Sequence, residues 1–250
     1  MSLPYRLFCV VMLLLLVFHV GGCAPAYTSH PMDVQDTVDS DTTVCVPPLS
    51  QAMVCVPPLS QYPDFPTGCE SVAAVMALHY AGISIRVEDF VDDHLLCDNT
   101  FYESDGLLYG PDPYTAFIGD PRSTSSYGCM APVIEKALLS CMDPKDIVIN
   151  TTGKDLPTLC REYINNDIPV ILWATMEMRP VGRGKMWFLP DGRQFIWPAG
   201  EHCLLLVGYN EKEYIFNDPR HGATVAYDKS SVEVAYASLG NQSLVIQSQK

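Results

Sequence analysis

The sequence predicts an α+β domain behind an export leader and a short stalk. Three features carry this reading. Helix-forming patterns come first after the stalk, strand-like apolar runs crowd the later part, and the one long apolar stretch lies at the N-terminus. Of 250 residues, 48% are apolar and 18% charged, a globular balance that argues against a disordered or coiled-coil chain. The net charge of −14 comes from 29 acidic and 15 basic residues; it repels phosphates, so nucleic acid is not an expected partner. It weakly favours neutral or basic substrates.

The leader is the first element. Arg6 precedes an apolar run from Leu7 to Val20 that is broken only by His19. The run is short for a membrane span and suits a signal-peptide core. It ends in Val20-Gly21-Gly22-Cys23, and small residues before a cysteine resemble a bacterial lipobox. The resemblance implies a lipoprotein-type signal over 1–22, cleavage before Cys23 and lipidation of its thiol; ordinary cleavage near Gly22 or Ala24 is the alternative. The expected location is outside the cytoplasm, tethered to the membrane or else secreted. Residues 23–43, rich in Asp, Thr, Ser and Pro, read as a flexible stalk, and 44–250 as the domain. No second long apolar run follows.

The domain opens on a tandem copy. Val44-Cys45-Val46-Pro47-Pro48-Leu49-Ser50-Gln51 recurs as Val54-Cys55-Val56-Pro57-Pro58-Leu59-Ser60-Gln61, which is a local duplication rather than a solenoid. The Ala-rich, apolar segment Glu70–Tyr80 predicts a buried helix closed by Gly82. Val87-Glu88-Asp89-Phe90 marks a second helix, and 106–128, dominated by Gly, Pro, Asp, Ser and Tyr, a long ordered loop. Further helices are expected over 131–141 and 156–165, then a central strand over 169–175. Trp187-Phe188 and Phe195-Ile196-Trp197 flank Pro190-Asp191-Gly192-Arg193, a hairpin that is either a flap with aromatic subsite walls or plain core. Strands over 204–209 and 214–217 follow, then a last strand pair around 223–227 and 243–247.

The sequence has 10 cysteines. Export permits disulfides, but the spacings show no framework. No Cys-x-x-Cys pair exists, so neither a structural zinc site nor another metal or cofactor is expected.

Three positions carry chemistry. Cys69, after Gly68, starts the buried helix, where the helix's positive end and free N–H groups favour a thiolate. A small buried helix-start residue is the bland reading. His202 opens an apolar strand, where its ring can meet a helix start across a cleft; alone it reads as a hydrogen-bonded edge histidine. Strand alternation then sends Cys203 to the opposite face, into the core. Asp218 ends the next strand and can orient the imidazole, or simply sit in a turn before Pro219. Asn217 is the rival orienting group, expected on the other face. The Cys69 N–H and the Gln61 side chain are the candidate oxyanion donors.

Val56-Pro57-Pro58-Leu59-Ser60-Gln61, Pro66-Thr67-Gly68-Cys69-Glu70, Glu201-His202-Cys203 and Asn217-Asp218-Pro219 resemble, in that order, the bacterial C-thirty-nine-like cysteine peptidases, relatives of the bacteriocin-leader peptidases. Gly110-Pro111-Asp112-Pro113, Phe117-Ile118-Gly119-Asp120-Pro121 and Tyr127-Gly128-Cys129 extend the match over roughly 54–247. The resemblance implies a papain-like fold, with the nucleophile helix packed on an antiparallel sheet. It implies Cys69 as nucleophile, His202 as base, Asp218 as orienting acid and Gln61 as oxyanion donor, acting on a peptide or protein. Gln61 lies farther from Cys69 than papain-like enzymes usually place that residue. A cell-wall amidase or endopeptidase with the same thiol chemistry, a surface binding module without turnover, and a processing partner of a separate exporter are the other readings.

Overall fold

The computed structural model describes residues 50–247. The leader, Cys23, the stalk and most of the first repeat copy lie outside the described residues.

In chain order the elements are β1 (Ala52–Met53), α1 (Cys69–Tyr80), α2 (Val87–Asp93), β2 (Cys97–Asp98), β3 (Tyr102–Ser104), β4 (Leu107–Tyr109), β5 (Phe117–Ile118), α3 (Ala131–Ser140) and β6 (Ile147–Asn150). The later part holds α4 (Leu156–Glu162), β7 (Val170–Thr175), β8 (Gly182–Phe188), β9 (Gln194–Ala199), β10 (Glu201–Tyr209), β11 (Glu213–Asp218), β12 (Ala223–Asp228), α5 (Lys229–Ser238) and β13 (Ser243–Gln247). The class is the expected α+β.

Helix α1 is apolar on all sides, and all ten residues from Cys69 to Leu78 are buried. An all-apolar helix is stable only where every face finds a packing partner. Its partners are β10, β7, α2 and α3. Gly82, at φ +87°, turns the chain away from it with a backbone that side chains resist.

The main sheet runs β12-β11-β10-β7-β13-β6, with β1 added on β10. Every pairing in it is antiparallel. Strands β7 and β10 are buried at every residue, which accounts for their apolar runs over 170–174 and 203–207. The register sets His202 opposite Ala174 on one side and Leu205 opposite Asn217 on the other. The β1 backbone crosses close at Gly208: a Cβ there would lie 2.6 Å from the Ala52 carbonyl oxygen.

Three expectations need correction. Strands β12 and β13 do not pair with each other; β12 pairs with β11, whereas β13 lies between β7 and β6. Helix α5 separates them, and its signal was Asp228, whose side chain caps the Ser231 N–H. The region 106–128 is not only loop, because it carries β4 and β5. The helix expected over 156–165 ends at Glu162, followed by one 3-10 turn over Ile164–Asn166.

The Trp187–Trp197 hairpin is core, but of its own small cluster. Met130, Trp187, Leu189 and Trp197 are buried together with Phe101, Tyr127 and Phe195 against them. The Trp187 indole N–H donates to the Pro111 carbonyl at 2.9 Å, so its one polar atom is satisfied.

Candidate active site

Helix α1 delivers Cys69 at its first residue, behind Gly68, whose position is crowded: a Cβ there would meet Phe65 at 2.9 Å and Pro121 at 3.1 Å. The Cys69 thiol donates to Glu70 Oε2 at 3.3 Å. Glu70 Oε1 in turn accepts the Cys129 N–H at 2.7 Å. Glu201, the first residue of β10, is also buried, and its Oε1 has no hydrogen-bond partner. Donor atoms of Cys69, Glu70 and Glu201 lie within 4.8 Å of one another. Gly128 makes room for both carboxylates, since a Cβ there would come within 2.4 Å of Glu70 Oε1 and 3.2 Å of Glu201 Oε2.

This setting reverses the charge state expected of the Cys69 thiol. Burial pushes the Cys69 thiol well above its ordinary value, and Glu70, Glu201 and Cys203 push it further. The Cys203 backbone N–H is the one favourable neighbour and does not offset them. The positive end of a helix favours a thiolate modestly; removal from water beside two carboxyls outweighs it. Burial likewise raises the Glu70 carboxyl to about 7, against the opposing Cys129 N–H. Glu201 is raised well above the carboxylate range by burial and by Glu70. The pair cannot hold two charges cheaply.

On the opposite face of β10 a second group assembles. His202 Nε2 bonds Asp218 Oδ1 at 2.8 Å, with both side chains almost wholly buried. The two residues are diagonal neighbours on adjacent antiparallel strands, a relation that long side chains can bridge. Asp218 Oδ1 also accepts the Arg220 N–H at 2.8 Å. Its Oδ2 bonds His221 Nδ1 at 3.0 Å and accepts the Tyr227 hydroxyl at 3.1 Å. Burial raises the Asp218 carboxyl, but His202, His221 and the Arg220 N–H outweigh it and hold the group well below the usual range. Asn217 turns the other way, as its neighbour's placement demands: its Nδ2 donates to the Val56 carbonyl at 2.7 Å.

The structure thus brings His202 and Asp218 together and sets Cys203 in the core. Among the described residues no hydrogen bond joins Cys69 to His202; the thiol turns to Glu70. Gln61 is anchored close to the Asp218 turn, its N–H donating to the Pro219 carbonyl at 2.8 Å. Its Nε2 donates to the Pro66 carbonyl at 2.7 Å, and its Oε1 is buried without a partner. Cys69 is 7% and His202 2% exposed, so both side chains present little surface to solvent. Sequence reasoning missed Glu201, His221 and Tyr227. Alternation offered a signal for the first: the rule that turns Cys203 away from His202 turns Glu201 away too.

A family model described as the Peptidase_C39 like family matches residues 53–244. The chain belongs to that family. Membership makes it a cysteine-type peptidase by kind. A relative, the uncharacterized protein YvpB of Bacillus subtilis (strain 168), is 28% identical over 181 residues, covering 72% of this chain and 69% of that protein. The crystal structure of a candidate C-thirty-nine-like peptidase from Bacillus anthracis superposes with a TM-score of 0.70 at 21% identity, over 80% of this chain and 98% of that one. That likeness establishes the fold. Xylellain, a cysteine protease from Xylella fastidiosa, matches more distantly, with a TM-score of 0.37 at 12% identity over 81% of this chain and 87% of that one.

Proposed function

We propose that this member of the Peptidase_C39 like family is an exported peptidase that hydrolyses peptide bonds with Cys69 as nucleophile, His202 as general base and Asp218 as orienting acid. The observation that carries the reading is the buried His202 Nε2–Asp218 Oδ1 bond of 2.8 Å. It commits Nε2 to the carboxylate and leaves Nδ1 for the thiol. Strand β10 packs against α1, which begins with Cys69, and the Cys203 N–H faces the sulfur.

In the mechanism the sulfur leaves Glu70 and delivers its proton to His202 Nδ1. The thiolate attacks the peptide carbonyl, and the imidazolium, balanced by Asp218, protonates the leaving amine. Water then hydrolyses the thioester with His202 again as base. The Cys69 N–H, first of α1 and outside the helix's own bonding ladder, faces the developing oxyanion. The second donor is the Gln61 amide, whose remaining N–H is free of the Pro66 bond. Cys23 carries the lipid that tethers the chain to the membrane.

Incubation with an electrophilic peptide library, followed by peptide mapping, tests the reading. Labelling at Cys69, absent in Cys69→Ala and suppressed in His202→Ala, is expected, together with cleavage of unmodified peptides. Turnover of purified peptidoglycan fragments but not peptides would replace the peptidase reading with an amidase. A folded wild type inert to both would leave a binding module.

A further inference from the structure

Two buried carboxylates converge on the thiol of the proposed nucleophile, and among the described residues no basic side chain pairs with either acid. The neighbours that act on Glu70 and Glu201 are backbone N–H groups, thiols and each other. Buried acids without a cationic partner are rare, because each charge taken from water costs several kcal/mol (order of magnitude). Two arrangements relieve the cost: one shared proton, or a bound cation.

The donor geometry favours a cation. Cys69 Sγ and Glu70 Oε2 are 3.3 Å apart, close to the edge of a tetrahedron around zinc, whose bonds run about 2.3 Å to sulfur and about 2.0 Å to oxygen. Glu201 brings a third donor within 4.8 Å of the others. It is 5% exposed, and its Oε1 has no other partner to lose. The Cys129 N–H fixes Glu70 through the oxygen opposite the one that faces the thiol, the outer support that ligating carboxylates usually have. A thiolate beside two carboxylates suits a borderline cation such as Zn²⁺ and not Ca²⁺ or Mg²⁺, which take oxygen alone. This site differs from the closed Cys/His clusters that the sequence spacing excludes: its ligands come from α1 and β10, 131 positions apart (Glu70 to Glu201).

We propose that Cys69, Glu70 and Glu201 bind a zinc-like divalent cation that masks the nucleophile. On binding, the thiol proton leaves for solvent and the sulfur is held as a metal thiolate on the carboxylate side of β10. Three protein ligands leave a fourth position for water. Only the masking clause rests on Cys69 being the nucleophile; the binding site stands without it.

The test uses the full chain and Zn²⁺ alone, titrated in competition with a chromophoric chelator, so that no peptidase activity is read. One ion per chain is expected, lost in Cys69→Ala, weakened by more than about tenfold, the least that even an outer-shell partner contributes, in the isosteric Glu201→Gln, and retained in His202→Ala. Because six other described cysteines are free, two site-specific readouts accompany it. Zn²⁺ should slow iodoacetamide alkylation of Cys69, read by peptide mapping, in wild type but not in Glu201→Gln. Co²⁺ added to wild type should give a thiolate-to-metal charge-transfer band that Cys69→Ala lacks. Wild-type affinity in Glu201→Gln overturns the proposal. So does loss of binding in His202→Ala, which would place the cation on a Cys–His pair, and so does absence of binding, which would leave the two carboxyls sharing a proton. A chain that binds zinc as described yet never cleaves a peptide retracts the peptidase reading alone.

Discussion

Asp218→Asn separates the charge of the proposed orienting residue from its shape. The carboxylate receives four donors: His202 and Arg220 N–H on Oδ1, His221 and Tyr227 on Oδ2. Asparagine keeps the acceptor towards His202 and Arg220 and turns the other oxygen into an NH₂. The Tyr227 hydroxyl can rotate to accept from it, and exposed His221 can turn to water instead. The fold should therefore survive. What goes is the negative charge beside an imidazole that becomes a cation in the proposed mechanism. A charge-assisted hydrogen bond contributes about 1.5–3 kcal/mol net and a neutral one about 0.5–1.5. The difference of about 1–2 kcal/mol corresponds to a loss of about 5- to 30-fold in kcat/KM. Bare attraction at that 2.8 Å separation and an effective dielectric constant of about 20 gives about 6 kcal/mol. That is an upper bound, because desolvation opposes it. The assay is hydrolysis of a fluorogenic peptide by wild type and variant, with thermal melts run alongside. A change under twofold in a folded variant would refute the claim that the Asp218 charge acts on His202. The same substitution has a stability signature. The Asp218 pKa is depressed in the folded chain, so its contribution is present above the unfolded value of about 3.9 and is lost as pH falls through the folded value. The stability gap between wild type and Asp218→Asn should accordingly close as pH drops below about 4.

Three further outcomes are expected. Gln61→Ala should lower kcat by about 10²–10³ with little change in KM, the signature of a lost oxyanion donor in steady-state kinetics; an equal rise in KM alone would assign Gln61 to ground-state binding. Gly128→Ala forces a Cβ to 2.4 Å from Glu70 Oε1 at φ +140° and should destabilise by about 2–3 kcal/mol, a fall of about 4–12 °C in Tm by calorimetry. Trp187→Ala empties the centre of the aromatic cluster and should cost about 3–5 kcal/mol in urea unfolding, since the side chain is fully buried and its indole N–H is bonded.

The fold was legible where one periodicity ruled. Helix α1 announces itself because an Ala-rich segment apolar on every face has few other uses, and β7 because a short all-apolar run between polar flanks suits a central strand. Helix α5 was hidden: Lys-Ser-Ser-Val-Glu-Val-Ala-Tyr-Ala-Ser is half polar, and only Val232, Ala235 and Tyr236 are buried. Strand β6 is short and half exposed, so its apolar residues blend into the preceding loop. At the site, the short hairpin connection made the two strands neighbours and put Asp218 near the His202 end, while the register that joins the two side chains came only with the structure. The direction of the Cys69 thiol did not. It depends on Glu70 and Glu201 meeting across two elements, with Gly128 leaving the space, and no spacing in the chain reports that meeting.

Strand alternation sets two chemically opposite groups side by side on the strand that packs against the Cys69 helix. Glu201 and His202 are adjacent on β10 and face away from each other, so turning towards one means leaving the other. A neutral thiol is a donor and suits Glu70 Oε2 at 3.3 Å. A thiolate at that distance from an ionised carboxylate would meet a repulsion of up to about 5 kcal/mol at an effective dielectric constant of about 20. Deprotonation should itself expel the sulfur towards the imidazole, coupling activation to movement. Glu70→Gln isolates this coupling, because the amide keeps the shape and removes the charge that raises the thiol. With a chelator present, the pH profile of Cys69 alkylation should move to lower pH in Glu70→Gln. Stability should move as well. The raised Glu70 pKa means that wild type is favoured below the unfolded value of about 4.3 and loses stability as pH rises through about 7, a slope that should be shallower in the variant, where buried Glu201 alone contributes it. A Glu70→Gln chain that flattens the stability profile yet leaves the alkylation profile in place would show that the carboxylate burdens the fold without governing the thiol.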